Sequence, residues 1–172
     1  MAELREQLEK CFRERVCIMG VGSADYGDDG LGMHLANELS AAGVPHVIAA
    51  GTAPERFMGW VAGEKFGHLL FLDAVEFGGA PGAVVFLNAG EIAARFPQIS
   101  THKISLGLLS QWTEANGTTR AWLLGVQPES LEASAQLSGT VRQTVDILRD
   151  LLVVLARHGW RAAGNDGQTS VA

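Results

Sequence analysis

Five short apolar segments alternate with stretches of amphipathic, helix-like spacing, and this alternation restricts the possible folds more than any other feature of the sequence. We predict strands at 16–20, 46–50, 68–72, 83–87 and 121–126. Apolar residues recur at helical spacing in segments 2–14, 29–39, 55–62, 105–114 and 141–157. Strands and helices that alternate in this way predict an α/β sandwich with a largely parallel sheet.

One connection departs from the strand–helix–strand order. Gly78 to Gly82, with the sequence GGAPG, predicts a turn between the third and fourth strands. Two strands joined by so short a turn are expected to be antiparallel neighbours.

The chain has 172 residues, which is enough for one well-cored domain. We predict a single domain over residues 16–161, preceded by an N-terminal helical extension (1–15) and followed by a flexible tail (162–172).

Charge and composition exclude several classes of function. The formal net charge is −6 and no cluster of Lys or Arg forms a basic surface, so we expect no nucleic-acid partner. Residues 1–15 are too charged for a signal peptide, and no apolar run could span a bilayer, so we expect a cytoplasmic protein without membrane insertion. Cys11 and Cys17 lack the spacing of a zinc or redox site and are expected to be reduced thiols.

The loop after the first strand carries three acidic residues. Gly20-Val21-Gly22 resembles the start of a dinucleotide-binding loop, but Asp25 stands where that fingerprint requires a third glycine. Asp25, Asp28 and Asp29 would repel a phosphate and attract a cation, which favours a metal or an amine as the ligand. The alternative from this segment alone is that Asp28 caps the following helix and Asp29 is an ordinary first-turn acid.

Two further residues lie where the carboxyl ends of strands are expected. Asp73 follows the third strand, and His102 precedes the helix at 105–114. Taken alone, neither Asp73 nor His102 is distinguishable from an ordinary loop residue. Together with Asp29, they supply two carboxylates and an imidazole, a ligand set suited to a divalent metal. No serine or cysteine lies in the context of an activated nucleophile.

The segment 20–32, GVGSADYGDDGLG, resembles the opening signature of the hydrogenase maturation endopeptidases, in which G-x-G-N is followed by D-D/E-G-x-G. Later blocks occur in the family's order. They are GTAPE at 51–55, LDA at 72–74, TH at 101–102 and GVQPES at 125–130.

The resemblance implies an endopeptidase that removes the C-terminal extension of a nickel-loaded [NiFe]-hydrogenase large-subunit precursor. It also implies a three-layer α/β/α sandwich with a mixed, mostly parallel five-stranded sheet. In the family, residues matching Asp29, Asp73 and His102 coordinate a metal in the cleft, so these three are the predicted catalytic and metal-binding residues. The resemblance thus implies an aspartic-type or metal-assisted peptidase, with nickel supplied by the precursor and no organic cofactor.

Two positions depart from the family pattern: Ser23 replaces the Asn after G-x-G, and Ala49 replaces an acidic residue before the Gly-Thr block. Neither is a predicted ligand, but the second could alter the selectivity for the precursor. Two other functions stay open at this point. One is a metal-dependent hydrolase with a resident metal, and the other is a non-enzymatic accessory protein that binds nickel or the precursor.

Overall fold

The computed structural model describes residues 2–95 and 105–163. Its strands are β1 (Val16–Val21), β2 (Val47–Gly51), β3 (His68–Ala74), β4 (Val84–Asn88) and β5 (Arg120–Val126). Its helices are α1 (Ala2–Cys11), α2 (Leu31–Ala41), α3 (Met58–Gly63), α4 (Ala89–Arg95), α5 (Leu106–Ala115) and α6 (Gly139–Ala163). Two 3₁₀ helices, Gly27–Gly30 and Pro54–Phe57, lead directly into α2 and α3.

The strands form one mixed sheet in the order β2-β1-β3-β5-β4. The first four strands in this order are parallel, and β4 pairs antiparallel with β5 at the edge. Helices cover both faces, so the predicted α/β/α sandwich with a mostly parallel five-stranded sheet is confirmed.

Alternate residues of each central strand enter different cores, as the two-residue period of a strand requires. In β3, Leu70 and Leu72 enter a core that α1, α2 and α6 complete. Leu69 and Phe71 enter a second core, on the opposite face, that α3, α4 and α5 complete. Because both faces of the sheet are buried, the strands read as continuous apolar runs in the sequence.

The prediction that the third and fourth strands are neighbours was wrong. β5 lies between β3 and β4, so the connecting loop crosses the carboxyl end of β5. Gln127, just after β5, holds this crossing, because its side-chain oxygen accepts hydrogen bonds from the main-chain N–H groups of Phe77 (2.9 Å) and Gly79 (3.2 Å). The turn after β3 explains why β4 runs antiparallel to the other strands. The strand with which β4 pairs, β5, comes later in the chain.

Three helical features differ from the sequence expectation. Helix α4 was not predicted, because seven residues are too few for a clear periodic pattern. Its start does carry a local signal: Asn88 and Glu91 exchange side-chain to main-chain hydrogen bonds of 3.0 and 2.9 Å, which is a capping box. Helix α2 begins at Leu31 rather than at Asp29, since residues 27–30 form a 3₁₀ turn, and α6 extends beyond both predicted ends.

Helix α1 contributes Leu8 and Cys11 to the same core as α6. The division of the chain into an extension, a domain and a tail stays a prediction, and residues 164–172 lie outside the described part of the chain. Across residues 2–95 and 105–163, no helix combines the length and apolarity that crossing a bilayer requires.

Candidate active site

The site is built where the chain leaves the carboxyl end of β1 and packs back onto the sheet. Gly22 has a φ of +112°, and a Cβ at this position would lie 1.9 Å from the carbonyl oxygen of Asp29. A Cβ on Gly32 would lie 2.1 Å from the carbonyl oxygen of Leu72 in β3. Only glycine fits at either position, so the spacing of glycines in segment 20–32 reflects close approach by the chain's own backbone.

This packing brings Asp29 and Asp73 to the same place. Asp29 is 8% exposed and Asp73 is 6% exposed. The carboxylate of Asp29 accepts a 2.7 Å hydrogen bond from the main-chain N–H of Ser23, the residue after Gly22. A Cβ on Gly22 would lie 3.6 Å from Oδ1 of Asp73, so both acids lie close to the Gly22–Ser23 segment. We refer to Asp29 and Asp73 as the carboxylate pair.

Asp28 points away from the carboxylate pair and is fully buried. Its carboxylate accepts hydrogen bonds from the main-chain N–H groups of Glu129 (2.8 Å), Ser130 (3.0 Å) and Ser138 (2.7 Å). The hydroxyl of Ser138 donates a fourth, at 2.9 Å. These four residues form what we call the Asp28 clamp, which ties the loop after β5 to the 3₁₀ turn that carries Asp29.

The clamp also determines the ionisation of Asp28. Burial raises the pKa of this carboxyl, but the hydrogen bonds from Ser130, Ser138 and Glu129 outweigh burial and hold the pKa below its ordinary value. Asp28 is therefore an ionised structural acid. The N-cap positions of the 3₁₀ turn and of α2 are Tyr26 and Gly30, and neither has a side-chain cap, so the alternative in which Asp28 caps the helix does not hold.

The three acids of the first loop thus lie in three environments: Asp25 is exposed, Asp28 is in the clamp, and Asp29 belongs to the carboxylate pair. His102, the third predicted ligand, lies outside the described residues. Within residues 2–95 and 105–163, no three His, Cys, Asp or Glu side chains converge to hold a metal ion. The joint coordination by Asp29, Asp73 and His102 stays a prediction.

Sequence reasoning did not find the partners of Asp28. The nearest of them, Glu129, lies 101 residues further along the chain, and Ser138 lies 110 residues further. The block at 125–130 marked this loop as a feature of the family pattern, but nothing in the sequence marks Ser138.

The two positions that depart from the family pattern lie close to the site. The main-chain N–H of Ser23 donates to Asp29, and this bond does not depend on the side chain. Ala49 is an exposed residue of β2 that pairs with Gly20 of β1.

Both cysteines are buried away from this loop. Burial raises the pKa of the Cys11 thiol to about 11 and that of Cys17 to about 12. Both thiols are protonated at neutral pH and are poor nucleophiles, as expected for structural cysteines.

Comparison with known proteins identifies the family. A family model described as hydrogenase maturation protease matches residues 30–153. The hydrogenase 3 maturation protease of Escherichia coli K12 is 29% identical over 157 residues, which is 90% of this chain and 96% of that protein.

Solved structures agree. The [NiFe] hydrogenase maturation protease HycI from Thermococcus kodakarensis superposes with a TM-score of 0.78 at 25% identity, covering 88% of this chain and 99% of that one. The hydrogenase-maturating endopeptidase HybD from E. coli has a TM-score of 0.69 at 26% identity, covering 84% of this chain and 93% of that one. Because the family model matches most of the sequence and the fold agrees over nearly its whole length, this chain belongs to the hydrogenase maturation protease family.

Proposed function

We propose that this protein is an endopeptidase that removes the C-terminal extension of a [NiFe]-hydrogenase large-subunit precursor after nickel has been inserted into that precursor. The observation that carries the proposal is the carboxylate pair, two buried acids that both lie near the Gly22–Ser23 segment at the carboxyl edge of the sheet in a member of this family. Open α/β sheets bind their ligands at this edge.

The donor chemistry of the carboxylate pair supports a divalent cation as the feature that is recognised. In the described part of the chain, Asp29 accepts only the hydrogen bond from Ser23, which occupies one of its two carboxylate oxygens. Carboxylates bind divalent metals together with imidazole, and His102 is the third ligand we propose. In this arrangement the nickel belongs to the substrate, and the precursor is recognised through it.

The same residues supply the chemistry of peptide hydrolysis in this proposal. Asp29 and Asp73 hold the precursor through its nickel, which positions the scissile peptide beside them. A carboxylate of the pair then accepts a proton from the water whose oxygen attacks the scissile carbonyl, and it returns that proton to the leaving amine as the C–N bond breaks, which is general acid–base catalysis. The peptidase is therefore of an aspartic, metal-assisted type.

The test is cleavage of the same precursor with and without nickel by the purified protein, followed by mass spectrometry. We expect the nickel-loaded form to lose its C-terminal extension and the nickel-free form to stay intact. Equal cleavage of both forms would show that nickel is not what the protein recognises.

Two measurements address the alternative functions. Metal analysis of the purified protein should find less than one tightly bound ion per chain, and a stoichiometric ion would favour a hydrolase with a resident metal. The His102→Ala variant should fold normally but not cleave, because it loses the third proposed ligand and keeps every residue of the two cores described above. Binding of the loaded precursor by the wild-type protein without any cleavage would identify an accessory protein.

A further inference from the structure

A groove separate from the carboxylate pair lies between the helical segment after β2 and helix α5. It encloses about 300 Å³, at the low end of the range for ligand pockets, so it suits one or two side chains. Its lining consists of one acid among mainly apolar residues: Glu55, Met58, Gly59, Leu108, Leu109 and Trp112. We call it the Glu55 groove.

The apolar wall of the groove is unusually open to solvent. Leu108 is 58% exposed and Trp112 is 40% exposed, although both lie on a helix whose other face is in the core. Exposed Leu and Trp side chains that line a concavity are typical of binding surfaces, and Trp in particular is enriched among residues that dominate binding energies.

Glu55 gives this apolar groove a charge preference. Its Oε2 atom is buried and accepts no hydrogen bond from any residue in 2–95 or 105–163. Glu55 as a whole is partly exposed and lines the groove, so a cationic group that enters the groove would lie close to the charge of its carboxylate. Lys and Arg side chains combine such a group with an aliphatic stem that apolar walls can cover.

The groove is on the same side of the sheet as the carboxyl group of Asp73. Leu69 and Phe71 of β3 enter the core that also contains Met58 and Leu109, and Asp73 continues their alternation along the strand. The 3₁₀ turn that carries Glu55 follows β2, whose last residue, Gly51, accepts a 3.0 Å hydrogen bond from the N–H of Gly22. The 3₁₀ turn that carries Glu55 and the loop that carries Asp29 therefore follow two paired strands at the same edge of the sheet.

We propose that the Glu55 groove binds a Lys or Arg side chain of the precursor while the carboxylate pair engages the substrate's nickel. The proposal rests on the proposed function and adds a second point of recognition, in which Glu55 pairs with the cation and Leu108 and Trp112 cover its aliphatic stem. This contact selects the precursor and takes no part in the chemical step.

The first measurement is the KM and kcat for cleavage of nickel-loaded precursor by Glu55→Gln and Leu108→Ser. Each variant should raise KM about 10-fold with kcat within about twofold of wild type, because the lost contact is made equally in the bound and reacting states. Two matched controls should behave as wild type: Glu3→Gln removes the same charge from an exposed site in α1, and Ile147→Ser makes the same kind of change at an exposed site in α6.

The second measurement identifies the partner. Each Lys and Arg of the precursor is replaced in turn by Gln, and every variant is assayed against wild-type and Glu55→Gln enzyme. One substitution should raise KM about 10-fold with the wild-type enzyme and have almost no further effect with Glu55→Gln, as a double-mutant cycle requires for a direct contact.

The outcomes separate the two proposals. If wild-type protein cleaves no precursor, the proposed function fails and this inference fails with it. If cleavage is normal but Glu55→Gln behaves as Glu3→Gln, or no precursor cation couples to Glu55, the groove proposal alone is overturned. It is also overturned if the cation that couples to Glu55 belongs to the enzyme itself. Lys103→Gln tests this: its effect on KM would then disappear in the Glu55→Gln background. A dimer in sedimentation that Leu108→Ser abolishes would assign the groove to a second copy of this chain and equally overturn it.

Discussion

Asp28 and Asp29 are neighbours in the chain and have the same side chain, yet their carboxylates lie in different surroundings. The Asp28 carboxylate accepts four hydrogen bonds and is sealed from solvent. Among residues 2–95 and 105–163, the Asp29 carboxylate accepts one, from Ser23, and a second acid, Asp73, lies near the same segment.

On the proposed function, this difference separates stability from ligand binding within two consecutive residues. A carboxylate whose acceptor positions are filled by fixed donors contributes to the fold and has no capacity left for a cation. A carboxylate with one donor and an acidic neighbour gains little stability from its surroundings but retains oxygens for a ligand. The clamp positions the turn, and the turn presents Asp29.

The largest effect should come from removing the acid of the clamp. Asp28→Ala removes a fully buried acceptor and leaves three main-chain N–H groups and one hydroxyl without their partner, so the free energy of unfolding should fall by about 3–5 kcal/mol. Urea unfolding followed by circular dichroism measures this change. Asp25→Ala is the control, because Asp25 is exposed and its removal should change stability by less than about 0.5 kcal/mol. If Asp28→Ala and Asp25→Ala were equally stable, the clamp would contribute no more to the free energy of unfolding than an exposed acid does.

The next effect concerns the carboxylate pair and should appear in activity instead of stability. Asp29→Asn and Asp73→Asn keep the side-chain volume, so unfolding free energies should stay within about 1 kcal/mol of wild type. Cleavage of nickel-loaded precursor should fall at least about 100-fold, equivalent to about 2.7 kcal/mol in the barrier, because an amide is a poorer metal ligand and proton acceptor. Asp25→Asn, with the same chemical change outside the pair, should retain full activity. A variant of the pair that cleaves at half the wild-type rate would contradict its role.

The fold was more predictable from the sequence than the roles of these acids. The central strands β1, β3 and β5 are apolar runs because both of their faces are buried, and local patterns are sufficient to find such runs and the shorter apolar segments of β2 and β4. The neighbour of β4 was not predictable in this way, since it depends on β5, which lies more than thirty residues beyond β4 in the sequence. Pairing order is a property of the whole chain, whereas strand formation is largely local.

The candidate site shows the same division between local and distant information. The motif at 20–32 located the loop, and the structure shows that the glycines at 22 and 32 allow a close backbone approach there. The motif could not separate Asp28 from Asp29, because the donors that occupy Asp28 come from a loop about a hundred residues away. Two identical side chains acquire different roles through partners that no local pattern reveals.

The smallest effect is the part of the clamp's stabilisation that depends on the charge of Asp28. It should appear when the free energies of unfolding of wild type and Asp28→Asn are compared at different pH values. The pKa of Asp28 lies below its ordinary value in the folded protein, so the folded state favours the ionised form more than the unfolded chain does. The resulting stabilisation is present above the unfolded pKa of about 3.9 and is lost as the pH falls through the lower, folded value. The gap in unfolding free energy between wild type and Asp28→Asn should therefore be constant near neutral pH and narrow below about pH 4. Urea unfolding of both proteins between about pH 6 and about pH 2.5 measures this gap. A gap that widens on acidification would mean that the clamp holds a protonated Asp28, and the two neighbouring acids would then differ in charge as well as in their partners.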